Sequence, residues 1–152
     1  MAFKEKLQEY ALIAEIVSAL AIVTSLVFVG LEINRSNELS ESEARQTWNG
    51  YAGDALLILA ENGELAAIVQ KDRNNEALTE LERFRLYVFW QRAFNLNNWA
   101  FYNLALPDLE LQEANIGNNF AALPSMAWAW EQLRERYPSE FVTWMDGLRA
   151  SP

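Results

Sequence analysis

The chain has 152 residues, of which 21 are Asp or Glu and 12 are Lys or Arg, so its formal net charge is −9 at pH 7. This charge opposes nucleic acid and anionic lipid headgroups as partners. Histidine and cysteine are both absent, which excludes disulfides, zinc sites of the ordinary type and Ser-His-Asp or thiol catalysis. No glycine-rich phosphate loop occurs either. We therefore expect no enzymatic activity, no cofactor and no metal site.

Residues 10–33 predict a transmembrane helix after a short leader, residues 1–9. Between residues 10 and 31 every side chain is apolar or small apart from Glu15, and a helix of that length covers about 33 Å, enough to cross a bilayer. A signal peptide is one alternative, but its apolar part is normally only about 7 to 15 residues long and leads to a cleavage site. A buried core helix is the other, and residues 16–31 lack the polar face that such a helix shows.

Small residues recur along this helix at spacings of three and four. They are Ala11, Ala14, Ser18, Ala21 and Ser25, and we call them the small-residue stripe. Such a stripe lets a second helix approach closely, so it predicts association with another copy of the chain or with another membrane protein. The alternative is compositional, because alanine and serine are frequent in any membrane helix.

Glu15 is the one charge inside the apolar run. An ionised carboxylate there must face water, a bundle interior or a cation, unless its side chain reaches the headgroup boundary near the end of the helix. If several copies assembled around the stripe, Glu15 would line the axis together with Ser18 and Ser25. An ion-conducting homo-oligomer is therefore the alternative function.

Residues 34–47 predict a polar helical stalk, because NRSNELSESEARQT contains no glycine or proline that would end a helix. The orientation in the membrane is not determined by the residues alone. Lys4 and Lys6 precede the helix, Arg35 and Arg45 follow it, and the positive-inside count is therefore tied.

Residues 48–152 predict a small helical domain that carries 48–61 as its first helix. Further helices are expected at Glu64 to Gln70, Thr79 to Ala105, Asp108 to Asn115, after Pro124 and after Pro138, with KDRNNEAL as a charged loop. Thr79 and Glu82 have the spacing of a capping box, and the longest helix of this domain is expected to end before Pro107. No alternating strand pattern occurs, so the fold class is all-α, with the transmembrane helix continuing into the stalk and a small helical bundle.

The longest helix of the soluble domain places Arg92, Asn95 and Trp99 on one face with Leu81, Phe84, Val88 and Tyr102, so these three residues are candidates for a buried polar pocket. A buried guanidinium needs a carboxylate or carbonyl partner. One interpretation is a structural ion pair with an acid such as Asp54 or Glu61. The other is an anion-binding pocket walled by Trp90, Trp99 and Tyr102.

Three stretches carry a family resemblance: AEIVSALAIVTSLVFVGLEINRSN, the Trp48–Leu65 helix ending in ENGEL, and LTELERFRLYVFWQRAFNLNNWAFYN. Together they resemble a broad family of small uncharacterised bacterial proteins with one N-terminal transmembrane helix and a helical domain. The resemblance covers most of the chain. It implies a single-pass protein of the bacterial inner membrane with a cytoplasmic domain, and it implies no particular activity.

We therefore expect a membrane-anchored interaction protein that works by association, as a homo-oligomer or as an accessory subunit of a larger membrane complex. Its expected partners are membrane lipid and, through the transmembrane helix, itself or another membrane protein.

Overall fold

The structure is a computed structural model that describes the backbone of residues 2–150 and the side chains of Gln8, Tyr10 and residues 12–150. That range contains six α-helices and one 3₁₀ turn. They are α1 (Ala2–Glu61), α2 (Gly63–Arg73), α3 (Glu80–Asn103), α4 (Leu106–Ala122), α5 (Pro124–Leu133), the 3₁₀ turn (Arg134–Arg136) and α6 (Ser139–Ala150). No strand occurs between residues 2 and 150, which confirms the all-α prediction.

Helix α1 runs for 60 residues without interruption. The polar segment 34–47 is helical throughout, as its lack of glycine and proline predicted. The chain divides into two compact units, Met1–Ser42 and Glu43–Pro152. The boundary between them falls inside the polar segment, so the first unit carries the apolar run and the second carries the end of α1 with all the other helices.

Side-chain caps begin both α2 and α3, and the sequence predicted the cap of α3. Asn62 Oδ1 accepts a hydrogen bond from the amide of Leu65 at 3.0 Å. Thr79 Oγ1 accepts one from the amide of Glu82 at 3.2 Å, and the Glu82 carboxylate accepts one from the amide of Thr79 at 2.8 Å. These two reciprocal bonds satisfy amides that have no partner inside the helix, and the predicted capping box is confirmed.

Other helix ends differ from the prediction. Helix α2 extends to Arg73 instead of Gln70, α3 ends at Asn103 instead of Ala105, and α4 covers Leu106–Ala122 instead of Asp108–Asn115. After α2 the chain turns at Asn75, whose φ of 56° is a left-handed conformation that asparagine tolerates. Pro107 lies in the first turn of α4, where a missing amide hydrogen needs no replacement.

Helix α3 supplies the centre of the core in the second unit. Its buried residues are Leu86, Trp90, Phe94, Asn97 and Ala100. The Phe94 ring centre lies 5.1 Å from that of Trp130 in α5, and Trp130 lies 5.8 Å from Phe141 in α6. Both pairs are T-shaped, a favoured aromatic geometry. All three rings are fully buried, which joins α3, α5 and α6.

An acid from α2 caps the start of α5. Leu123, at the N-cap position of α5, has no side-chain acceptor, and the amide of Ser125 donates to both carboxylate oxygens of Asp72, at 3.1 and 3.2 Å. Ser125 Oγ also donates to Asp72 at 2.6 Å and accepts from Trp90 Nε1 at 2.7 Å. Asp72 is only 5% exposed. The predicted charged loop is therefore wrong for residues 71–73, which are helical and carry a buried cap.

Candidate functional site

The apolar run of α1 is exposed along its whole described length. Every residue from 12 to 33 is exposed, and none of the most apolar window is buried. By length and composition, this is one helix in the described part of the chain that could span a membrane. A core helix of a soluble protein would be mostly buried, so the exposure of this run opposes the buried-core alternative.

The small-residue stripe satisfies its own hydroxyls. Ser18 Oγ donates to the carbonyl of Ala14 at 2.7 Å, and Ser25 Oγ donates to the carbonyl of Ala21 at 2.8 Å. All four residues are exposed, whereas the side chain of Ala11 lies outside the described residues. The stripe therefore offers another helix small side chains and no unpaired hydroxyl donor.

A shallow depression of about 290 Å³ lies over part of the stripe. Ala21 and Ser25 line it together with the larger Ile22, Leu26 and Val29. A larger side chain from a second helix would fit such a depression, which is how small-residue contacts bring backbones together.

Glu15 is exposed on α1. It lies beside Ala14 and within one turn of Ser18, and it forms no ion pair with any described side chain. Its predicted role in the membrane stays a prediction.

The prediction that Arg92 is buried is wrong. Arg92 is exposed, and Phe84 on the same predicted face is 62% exposed. The buried face of α3 contains Trp90, and Arg92 follows two residues later, about 200° around the helix. No ion pair joins Arg92 to Asp54, to Glu61 or to any other acid in the described range.

Asn95 and Trp99 do not form a buried pocket with Arg92. Asn95 is exposed, and its Oδ1 accepts a hydrogen bond from the Tyr137 hydroxyl at 2.8 Å. Burial raises the pKa of Tyr137 to about 12. Trp99 is half-buried and packs edge-on against Tyr51 of α1, with ring centres 6.2 Å apart. Both residues therefore make packing contacts within the second unit.

A different site lies between the end of α1 and the helices beneath it. This interhelical cleft has a volume of about 430 Å³ and is lined by all helices from α1 to α5. Trp48 and Leu59 contribute from α1, Trp90 from α3 and Met126 from α5. No residue of the segment 48–61 is fully buried. The end of α1 thus covers the bundle without filling the space below it.

The polar lining of the cleft consists of two guanidinium groups and four amides. They come from Arg73, Arg92, Asn97, Gln112, Asn115 and Asn119. Gln112 Nε2 donates to Asn97 Oδ1 at 3.2 Å, so these two amides partly satisfy each other. No acidic residue is among the described residues that line the cleft. The cleft therefore combines an apolar wall with positive charge.

Sequence reasoning found part of this cleft. It named Arg92 and an anion pocket as one interpretation, but of the three proposed wall residues, Trp90, Trp99 and Tyr102, only Trp90 is among the described lining residues. Arg73 was missed because it lay in a segment interpreted as a loop. A signal was available, because Ile68, Val69 and Asp72 recur at helical spacing among polar residues. This spacing indicates a helix that continues to Arg73.

The part of the chain that the structure describes contains no group of three or more acidic residues that could hold a metal ion. Comparison of the chain with protein-family models, with curated proteins and with solved structures gives no match. The family resemblance and the function it implies therefore stay predictions.

Proposed function

We propose that the protein is a single-pass anchor of the bacterial inner membrane that works by association, either as a homo-oligomer or as an accessory subunit of a larger membrane complex. The supporting observation is the apolar run of α1, which is long enough to span a bilayer and has no residue buried from 12 to 33. An exposed helix of this composition needs lipid, or another apolar helix, around it.

The association is assigned to the small-residue stripe. Between helices in lipid the hydrophobic effect gives little attraction, so close packing and hydrogen bonding must supply it. Ala14, Ser18 and Ala21 allow close packing, and the Ser18 hydroxyl, 2.7 Å from the Ala14 carbonyl, stays against its own helix. The absence of histidine and cysteine from the sequence favours an interaction role over catalysis.

Ser18→Leu tests this proposal. Leucine favours insertion by a few tenths of a kcal/mol, so the variant should still enter the membrane but should lose close helix contact. The control is Ala19→Leu, one residue and about 100° around the helix. Native mass measurement after extraction in mild detergent should show an assembly for the parent and for Ala19→Leu, and a single chain for Ser18→Leu.

Three results would contradict the proposal: a parent that is strictly monomeric with nothing co-purifying, equal loss of assembly in both leucine variants, or no loss in either. Equal loss would mean that the contact along α1 is not confined to the small-residue stripe, and no loss in either variant would mean that any assembly forms through the second unit.

We also propose that the helical domain lies in the cytoplasm, as the family resemblance implies, and labelling tests this placement. Because the sequence has no cysteine, Ala150→Cys provides a single thiol on the exposed end of α6. A membrane-impermeant maleimide should label it only after spheroplasts are lysed. Labelling of intact spheroplasts would place the domain on the outer side.

A further inference from the structure

Most basic side chains of the second unit already have a partner. Ion pairs join Arg45 to Asp108, Lys71 to Glu82, Arg85 to Glu64, Arg134 to Asp146 and Arg149 to Glu131, and Arg83 lies over the Trp128 ring. Arg73 and Arg92 form no ion pair with any acid in residues 12–150. Both line the interhelical cleft.

The charge of the cleft is opposite to that of the chain. Acidic residues outnumber basic ones by 21 to 12 in the sequence, yet none of the described lining residues is acidic. Asn115 and Asn119 add amide donors on the α4 side. Positive charge with amide donors and no competing carboxylate favours an anionic group.

The walls of the cleft select an apolar body for that anion. Ala55 and Leu59 face it from α1, and Ala93 and Ile116 face it from α3 and α4. The volume of about 430 Å³ lies within the range of about 300–1,000 Å³ that is usual for small-molecule sites. A hydrated inorganic anion fits less well, because it would leave the apolar wall in contact with water. A multiply charged ligand also fits less well, because the described lining of the cleft offers only two cations, Arg73 and Arg92.

We propose that this cleft binds an amphipathic monoanion, a carboxylate on an alkyl chain. The alkyl chain lies against the walls between α1 and α3, and the carboxylate accepts hydrogen bonds from the guanidinium groups at the rim. A second groove bordered by Arg92 also contains the Arg85–Glu64 ion pair. Because Glu64 already neutralises Arg85 there, that groove is the weaker anion site.

The test uses the full chain in nanodiscs of zwitterionic phosphatidylcholine and ω-bromododecanoate as the probe. Bromine quenches tryptophan fluorescence at short range, and Trp48 and Trp90 both line the cleft. The parent should show saturable quenching. Arg73→Gln and Arg92→Gln should each raise the half-saturating probe concentration about tenfold, since each removes one charge-assisted hydrogen bond.

Arg136→Gln is the matched control variant. Arg136 is exposed and is not among the described lining residues, so its loss changes the net charge equally and should leave the half-saturating concentration unchanged. ω-Bromododecanol, with the same chain and no charge, should bind at least tenfold more weakly than the carboxylate to the parent.

The proposal is overturned if quenching of the parent does not saturate, or if the alcohol binds as tightly as the carboxylate. It is also overturned if Arg136→Gln weakens binding as much as the two cleft variants, because the effect would then come from net charge alone. Near-ultraviolet circular dichroism of each variant verifies that the fold is intact, which the exposure of all three arginines predicts.

Discussion

Asp72→Ala should destabilise the second unit more than the same substitution of any exposed acid. Asp72 is buried, receives the Ser125 amide and hydroxyl at 3.1 and 2.6 Å, and lies at the positive end of α5. Hydrogen bonds to a charged group contribute about 1.5 to 3 kcal/mol each. Removal of the Asp72 carboxylate leaves the buried amide and hydroxyl of Ser125 without their acceptor. Relief from burying a charge offsets part of this loss, so we expect a net cost of about 3 kcal/mol.

The assay is thermal unfolding of the full chain, followed by near-ultraviolet circular dichroism of the tryptophans. Trp90 and Trp130 are both buried in the second unit, so the signal reports on its core. For a unit of this size a loss of 1 kcal/mol lowers the melting temperature by about 4 °C, and Asp72→Ala should therefore melt about 12 °C below the parent.

Asp54→Ala is the control for this substitution. Asp54 is exposed on α1, and its replacement should change stability by less than about 0.5 kcal/mol. Ser125→Ala completes a double-mutant cycle, in which the coupling energy with Asp72→Ala should be about 1 to 2 kcal/mol. If Asp72→Ala melts like Asp54→Ala, or if the coupling is zero, the buried cap does not stabilise the core as argued.

Further expectations concern pH and Arg92. Hydrogen bonding by Lys71 and by the Thr79 backbone and hydroxyl lowers the pKa of Glu82 from 4.5 to about 2. The contribution of the Glu82 carboxylate to stability should therefore be complete above pH 4.5 and lost as the pH falls towards 2. The difference in melting temperature between the parent and Glu82→Gln should shrink between these two pH values. Burial raises the pKa of Tyr137 from 10.0 to about 12, so the stabilisation by its protonated hydroxyl should be complete below pH 10 and lost as the pH rises through 12. In an ultraviolet titration Tyr137→Phe should remove a tyrosine transition near pH 12, and persistence of that transition in the variant would contradict this. Arg92→Met should change the free energy of unfolding by less than about 0.5 kcal/mol, because the side chain is exposed; a loss of 3 kcal/mol in a chemical denaturation curve would restore a structural role.

The sequence predicted the features that depend on neighbouring residues. The all-α class, the uninterrupted polar segment 34–47 and the capping box of Thr79 and Glu82 all follow from local propensity and side-chain to backbone hydrogen bonds. These interactions act within a few residues, so a single sequence contains the information that specifies them.

The buried face of α3 was assigned to the wrong side because aromatic and aliphatic residues occur all around this helix. Phe84 and Val88 are 62% and 48% exposed, while Trp90 and Phe94 are buried. When apolar residues occupy every side, periodicity gives no clear phase, and the phase is then fixed by the helices that pack against it. The error moved Arg92 from the surface to a supposed core.

The interhelical cleft could be predicted only in part, for a related reason. Arg73 and Arg92 come from different helices, and only tertiary packing brings them to the same cleft. The same holds for Asp72, whose partner Ser125 is 53 positions away. Nothing in the local pattern around KDRNNEAL distinguishes a buried capping acid from a solvated one.

The separation of Asp72 from Ser125 also has a consequence for biosynthesis. At about 5 to 20 residues per second, the 53 positions between them take about 3 to 11 s to translate. Throughout that interval the carboxylate has no helix start to cap and stays hydrated, so the core of the second unit cannot close around it. The apolar run of α1 has already been made by then. If α1 spans a membrane as proposed, the order of translation therefore gives it several seconds to insert before the rest of the chain becomes a folded domain.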